Sequence, residues 1–358
     1  MPEEMKEAEK GKQVLLPDPS QLLLSASPHL QAPGSLADIM RKVLICLMPV
    51  CIASVVFFGL NALRIIVLTT AFCLFFEWLC CLIARRPSTL GDWSAAVTGV
   101  LLALNLPPGV PWWICMIGAF IAIVAAKAVF GGLGQNPFNP AAVARVALLV
   151  GFAGPMTTFY KPLQGFLPSA DFVTGATPLA LAKAAGSAEE IGLLESAEKL
   201  ADGFFGFTGG AIGETCVPAI LIGGIGLIFL RIISWHIPVA MLGTAFFFTW
   251  IVHLAQPALT PGPLFHLCSG GFMLSAFFMA TDMVTSPITV RGKLIFGASI
   301  ALIACVIRIW GAYPEGVSFA IIIMNALVPL IDRFSNKHPF GWHPANVQKY
   351  AMRRGEVK

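Results

Sequence analysis

Charge is what this sequence has least of. Asp, Glu, Lys and Arg make up 12% of its 358 residues, against about 25% in soluble domains. With 57% hydrophobic residues and a mean hydropathy of +0.80, the chain belongs in a bilayer. A net charge of +4, spread over the ends of apolar runs, is too small to argue for a nucleic-acid partner, and none is expected. The nine cysteines contain no C-x-x-C pair and the six histidines no H-E-x-x-H, so no metal site is expected within this chain. Most of the cysteines sit inside apolar runs and read as small buried hydrophobes. No Gly-rich nucleotide fingerprint follows a strand, which argues against an NAD site here. No apolar core precedes Val43, so residues 1–42 read as a retained polar tail and not as a cleaved signal peptide.

What is present is apolar, and rich in helix breakers: 34 Gly and 26 Pro. Both are more frequent in membrane helices than in soluble ones, because neighbouring helices re-satisfy the interrupted backbone. Ten runs approach the length needed to cross roughly 30 Å of hydrocarbon: 43–60, 65–84, 92–106, 112–130, 141–154, 217–233, 237–255, 264–281, 294–311 and 317–332. The third and fifth are short and end at Pro107-Pro108 and Gly154-Pro155, as discontinuous helices do. Arg41, Lys42, Arg85, Arg86, Arg231, Arg291, Lys293 and Arg333 fall on one side of such a layout, with Arg64 on the other. The positive-inside rule then puts both termini in the cytoplasm and the long loop 155–216 outside. The expected divisions are a tail 1–42, a membrane half 43–154, the outer loop 155–216, a second half 217–332 and a cytoplasmic tail 333–358.

Two stretches, 94–150 and 269–330, repeat one pattern. Each opens with small residues (Ser94-Ala95-Ala96, Ser269-Gly270-Gly271) and breaks near an Asn or Asp and a Pro. Each then continues as an apolar span, a Gly-rich break and a last short span. Five crossings separate the two openings, so the copies run in opposite directions. The expected fold class is an all-α polytopic membrane protein, with about ten transmembrane helices in a five-plus-five inverted repeat of broken helices.

Four motifs narrow the function. Leu24-Ser25-Ala26-Ser27-Pro28-His29, the run from Thr98-Gly99 to Pro107-Pro108, Gly131-Gly132-Leu133-Gly134-Gln135-Asn136-Pro137-Phe138-Asn139-Pro140, and Met279-Ala280-Thr281-Asp282 with Ser286-Pro287 resemble the D-subunit family of the Rnf electron-transport complex. The homologous B subunit of the sodium-pumping NADH:quinone oxidoreductase shares several of them. The resemblance spans residues 22–335. In the outer loop, Asp171-Phe172-Val173-Thr174-Gly175-Ala176-Thr177 resembles the Asp-x-x-Ser/Thr-Gly-Ala-Thr pattern at which a flavin transferase esterifies FMN to the final threonine.

That resemblance implies covalent FMN on Thr177, with Asp171, Thr174, Gly175 and Ala176 as the recognition motif. It further implies other subunits of an Rnf-type complex as partners, lipid around the spans, and a bacterial cytoplasmic (inner) membrane location. Such an assembly couples ferredoxin and NAD chemistry to Na⁺ or H⁺ movement. The quinone-reductase homologue also carries riboflavin, so Asn136 and Asn139 are candidates for a second, non-covalent flavin site. For these the structural alternative, helix capping in a re-entrant turn, stays open. For Thr177 the alternative is an ordinary N-cap before Pro178.

Ionisable groups inside the spans are functional candidates by default because burying them is costly. Glu77 and Asp282 are the candidates for a cation path, with structural pairing equally open for Glu77. Lys127, Arg145 and Arg308 are expected to snorkel or to bond helix carbonyls, Lys127 and Arg145 near cytoplasmic helix ends. A secondary transporter or channel without a redox cofactor accounts equally for broken helices and an inverted repeat. It has no use for the flavinylation motif.

Overall fold

The computed structural model describes residues 35–163, 173–185, 187–313 and 315–335. Among them the chain is helical throughout, with a single isolated β-bridge between Tyr160 and Thr174. Four helical runs are long and apolar enough to cross a membrane: α1 (Leu36–Ile83), α10 (His236–Ala255), α13 (Val290–Trp310) and α14 (Val317–Ser335). Shorter apolar helices fill the rest of the bundle: α2 (Ser94–Leu104), α3 (Trp112–Ala128), α4 (Pro140–Gly151) and α9 (Val217–Phe229). Large apolar side chains face outward along these helices, among them Ile45, Val56, Ile222 and Phe229. Contiguous exposed apolar surface of this kind suits lipid. The fold is that of a multi-pass membrane protein.

The first two expected spans form one helical run of 48 residues, interrupted at Gly59 (φ 61°, ψ −148°). Unbroken, it would extend about 72 Å, more than twice the hydrocarbon thickness. Only glycine adopts that backbone region without strain, so Gly59 divides α1 into two arms of nearly equal length.

The eighth expected span, 264–281, is not one helix. It divides into α11 (Pro263–Cys268) and α12 (Phe272–Leu274, continued as a π-turn over Ser275–Met279). Gly270 between them takes φ 68°. A second π-turn, Ile121–Ala128, closes α3 and carries Lys127 into the interior. π-turns misalign the helical ladder by one residue and collect at functional sites.

The 155–216 loop is not wholly peripheral. After α5 (Ala153–Thr157) come α6 (Pro178–Ala184), α7 (Ala188–Leu194) and α8 (Ala197–Phe205). The chain then turns back into the bundle. Ile212 N donates to Leu106 O at 3.0 Å and Gly213 N to Leu104 O at 2.7 Å. These bonds satisfy carbonyls that the broken end of α2 leaves without intrahelical donors. Ser54 on α1 donates to Ile212 O at 2.9 Å, so Ala211, Ile212, Glu214 and Thr215 are buried.

Candidate functional site

Backbone pairing positions the threonine loop. Lys161 N donates to Val173 O at 3.2 Å and Gly175 N to Phe159 O at 3.0 Å, on either side of the Tyr160–Thr174 bridge. A Cβ on Gly175 would stand 3.0 Å from Lys161 Cγ, so glycine lets the lysine stem lie against the motif. Thr174 and Ala176 are exposed; Gly175 and Thr177 are half-buried. Asp171 lies outside the described residues. Thr177 is the N-cap of α6: its Oγ1 accepts from Ala180 N at 3.2 Å, with Pro178 at the first helical position. The capping alternative is therefore realised, and it is compatible with esterification, because an ester oxygen keeps its lone pairs.

Beside this turn lies a cavity of about 520 Å³, within the roughly 300–1,000 Å³ of organic-ligand pockets. Gly175, Ala176 and Pro178 form one wall, Leu181, Leu194, Phe207 and Phe265 supply apolar surface, and Lys161 and Lys199 supply positive charge. Asp202 lines it as well. Apolar walls with cationic side chains suit a flat aromatic ring carrying a phosphate, as an FMN would present.

Thr177 itself lines a different, smaller cavity of about 20 Å³, together with Glu214, Gly270 and Glu315. Here sequence reasoning missed a cluster. Arg145 on α4 donates from Nη2 to Glu315 and from Nη1 to the Asn105 amide oxygen, and its Nη1 stands 2.6 Å from Glu214 Oε1. Arg145 is expected to snorkel or to bond helix carbonyls; it meets Glu214 instead because the 155–216 loop re-enters the bundle. Gly271 N donates to Glu315 Oε1 at 3.0 Å. Arg308 donates to the carbonyls of His266 and Ser269 at 2.7 and 3.1 Å, as expected of a cation on helix carbonyls, and lies 5.2 Å from the Phe272 ring centre.

The two carboxyls are driven apart. Burial, with Glu315 as a negative neighbour, pushes Glu214 up to about 8 despite Arg145. Burial also acts on Glu315, but Arg145, the Glu214 hydrogen bond and Arg308 outweigh it and hold Glu315 below the usual carboxylate range.

The opposite end of α2 holds the other candidates. Asn136, Asn139, Asp282 and Lys127 line one cavity of about 90 Å³. Lys127, 2% exposed, does not snorkel; it donates to Glu77 at 2.8 Å and to Ser94 Oγ at 2.7 Å. Glu77 also accepts from Thr89 at 2.6 Å, so it is structurally paired and meets the cavity only through Lys127. Asp282 accepts from Thr285 at 3.0 Å. Asn139 is fully engaged: it caps α4 through Ala141 N and Ala142 N and donates to Met279 O at 2.9 Å. Asn136 donates to Phe138 O at 3.0 Å, while its buried Oδ1 has no hydrogen-bond partner among the described residues. The cavity is small beside organic-ligand pockets.

Together these features define a multi-pass membrane protein of broken helices, with buried ion pairs at both ends of one of them. The chain belongs to the NQR2, RnfD, RnfE family, whose model matches residues 23–341. It is 43% identical over 320 residues to the D subunit of the Na(+)-translocating ferredoxin:NAD(+) oxidoreductase complex of Acetobacterium woodii, covering 89% of this chain and 95% of that one. It is 40% identical over 319 residues to the D subunit of the proton-translocating ferredoxin:NAD(+) oxidoreductase complex of Clostridium ljungdahlii, covering 89% and 96%. The D subunit of an ion-translocating oxidoreductase complex of Vibrio atlanticus is 39% identical over 347 residues, covering 89% and 99%.

Proposed function

We propose that this chain is the flavin-bearing membrane subunit of an ion-translocating ferredoxin:NAD oxidoreductase-type complex, with FMN esterified to Thr177. The observation that carries the reading is a threonine in a Thr-Gly-Ala-Thr turn, at the edge of a cavity of about 520 Å³ with apolar walls and two lysines. The names of relatives covering nine-tenths of the chain support the complex. Bound FMN would supply a carrier that takes up and releases electrons singly. The protein holds it in place, presents its phosphate to Lys161 and Lys199, and excludes bulk water with Leu181, Phe207 and Phe265. A flavin transferase would install it, and neighbouring subunits would exchange electrons with it.

The architecture we infer is ten spans in a five-plus-five inverted repeat, both termini in the cytoplasm of a bacterium bounded by this inner membrane. One correspondence supports the repeat. In each half a buried cation on a later helix bonds the serine that opens the repeat: Lys127 to Ser94, and Arg308 to Ser269. For the cation path, Asp282 is the stronger candidate because it lines the 90 Å³ cavity directly. The first two relatives named above differ in their named ion at nearly equal identity, so the coupling ion is assigned as Na⁺ or H⁺.

The test is peptide mass spectrometry of chain matured with a flavin transferase. The peptide holding Thr177 is expected to carry the mass of FMN less one water. An unmodified Thr177, with the transferase active on a control substrate, would overturn the reading. Asp282→Asn is expected to lower ion-coupled electron transfer while leaving that mass unchanged.

A further inference from the structure

A buried carboxyl, a half-buried one and two arginines meet beside Thr177, contributed by four separate parts of the chain. Glu214 is 3% exposed. Its Oε1 accepts no aligned hydrogen bond among the described residues, although Arg145 Nη1 stands 2.6 Å away. Glu214 lines the same small cavity as Thr177 and Glu315. Glu214 and Glu315 share the guanidinium of Arg145. Like charges held at one site favour a proton on one of them. Glu315 is the poorer holder: it takes the Arg145 Nη2 and Gly271 N hydrogen bonds, which favour its ionised form.

The surroundings are built around these groups. A Cβ on Gly271 would stand 2.5 Å from Glu214 Oε1, and one on Gly270 would collide with Glu315 Oε1. The other charged or titratable groups that face the cluster are few. Lys183 on α6 is occupied by the carbonyls of Gly311 and Tyr313 at 2.6 Å each. Cys268 on α11 lines the small cavity, and Tyr313 lines a second one of about 30 Å³ beyond Glu315 and Arg145. Each cavity has room for one or two waters. The Glu315 side chain, 20% exposed, connects Glu214 to solvent.

We propose that Glu214 is a proton-binding positioning residue for the group on Thr177. Holding a proton, it leaves Arg145, Arg308 and Glu315 with one surplus positive charge. Releasing that proton through Glu315 cancels the surplus. The step balances: the Glu214 O–H bond breaks, the proton passes to water or buffer base, and no electron moves. The surplus charge faces the anionic phosphodiester expected on Thr177, and it favours any further electron placed there. A proton suits this site better than a metal cation, since Arg145 is already against the open oxygen and repels a second cation. The effect on a redox group rests on the function proposed above; the proton site itself does not.

The experiment is an infrared pH titration of the full chain in detergent, paired with dithionite titration of its bound flavin at each pH. Wild type, Glu214→Gln, Glu315→Gln and Thr177→Ala are compared. A protonated-carboxyl band titrating near pH 8 is expected in wild type and Thr177→Ala, and lost in Glu214→Gln. The wild-type flavin midpoint potential should fall below that of Glu214→Gln as pH rises through that value, and match it below. Glu315→Gln should move the band's titration to lower pH, because the repelling charge is gone, and gives a second variant should Glu214→Gln misfold. A titrating band unchanged in Glu214→Gln would overturn the proton site. Parallel potentials in wild type and Glu214→Gln, with flavin present in both, would overturn its redox role. A wild type without flavin would instead overturn the function proposed above, while the band still decides the proton site.

Discussion

Thr177 carries two loads at one oxygen. As the N-cap of α6 it accepts from Ala180 N, and removing a cap costs about 1 kcal/mol. As the proposed ester site it needs only a hydroxyl. Thr177→Ser is therefore expected to keep both roles, and Thr177→Val to lose the flavin with a small loss of thermal stability. Lys127 and Glu77 make the reverse case, a pair in which each side chain holds the other. Lys127→Met strands a buried carboxylate, and breaking such a pair costs about 3–5 kcal/mol. Thermal unfolding in detergent should show a large drop for Lys127→Met and recovery in the Lys127→Met/Glu77→Gln double variant. A drop equally large in the double variant would contradict the pairing. Individual polar residues were legible in the sequence; their partners were not. Glu214 and Glu315 stand 101 positions apart, and nothing local signals that Arg145 joins them. The available sign was weak: Glu214 lies three residues before an apolar helix, in a chain with only 19 acidic residues.

At the scale of elements, apolar periodicity and Gly/Pro punctuation marked most helices, including the break after Leu104 and the start of α4 at Asn139-Pro140. Two features escaped it. The 264–281 run reads as one span, yet divides at Gly270, because composition does not reveal a positive φ. The return of the 155–216 loop into the bundle was invisible because its cause lies elsewhere, in the unsatisfied carbonyls at the end of α2. Gly213 marks that contact: a Cβ there would stand 2.5 Å from Leu104 Cβ and 3.0 Å from Leu104 O. Gly213→Ala is expected to cost about 1–3 kcal/mol by overpacking and to displace Glu214 from Arg145. Proteolysis of the 206–216 segment should quicken in that variant; an unchanged rate would show that the loop is held by other contacts.

At the scale of the whole molecule, the carboxyl cluster ties stability to pH. Glu214 is raised from 4.5 to about 8 in the folded chain, so the folded state binds a proton that the unfolded state releases. Its contribution is full below about pH 4.5 and is lost as pH rises through 8. Glu315 is shifted the other way, so its contribution is present above 4.5 and is lost as pH falls through its lower folded value. Melting temperature should therefore decline from mildly acidic pH towards 8 in wild type, and Glu214→Gln should flatten that slope. An identical slope in both would remove Glu214 as its source.

The central claim is that this membrane protein carries a covalent flavin on Thr177. The most direct measurement is in-gel flavin fluorescence after denaturing electrophoresis, with wild type and Thr177→Ala each co-expressed with a flavin transferase. The account predicts a fluorescent wild-type band and a dark Thr177→Ala band of equal protein content. A dark wild-type band, with the transferase active on a control substrate, or equal fluorescence in both, would contradict it.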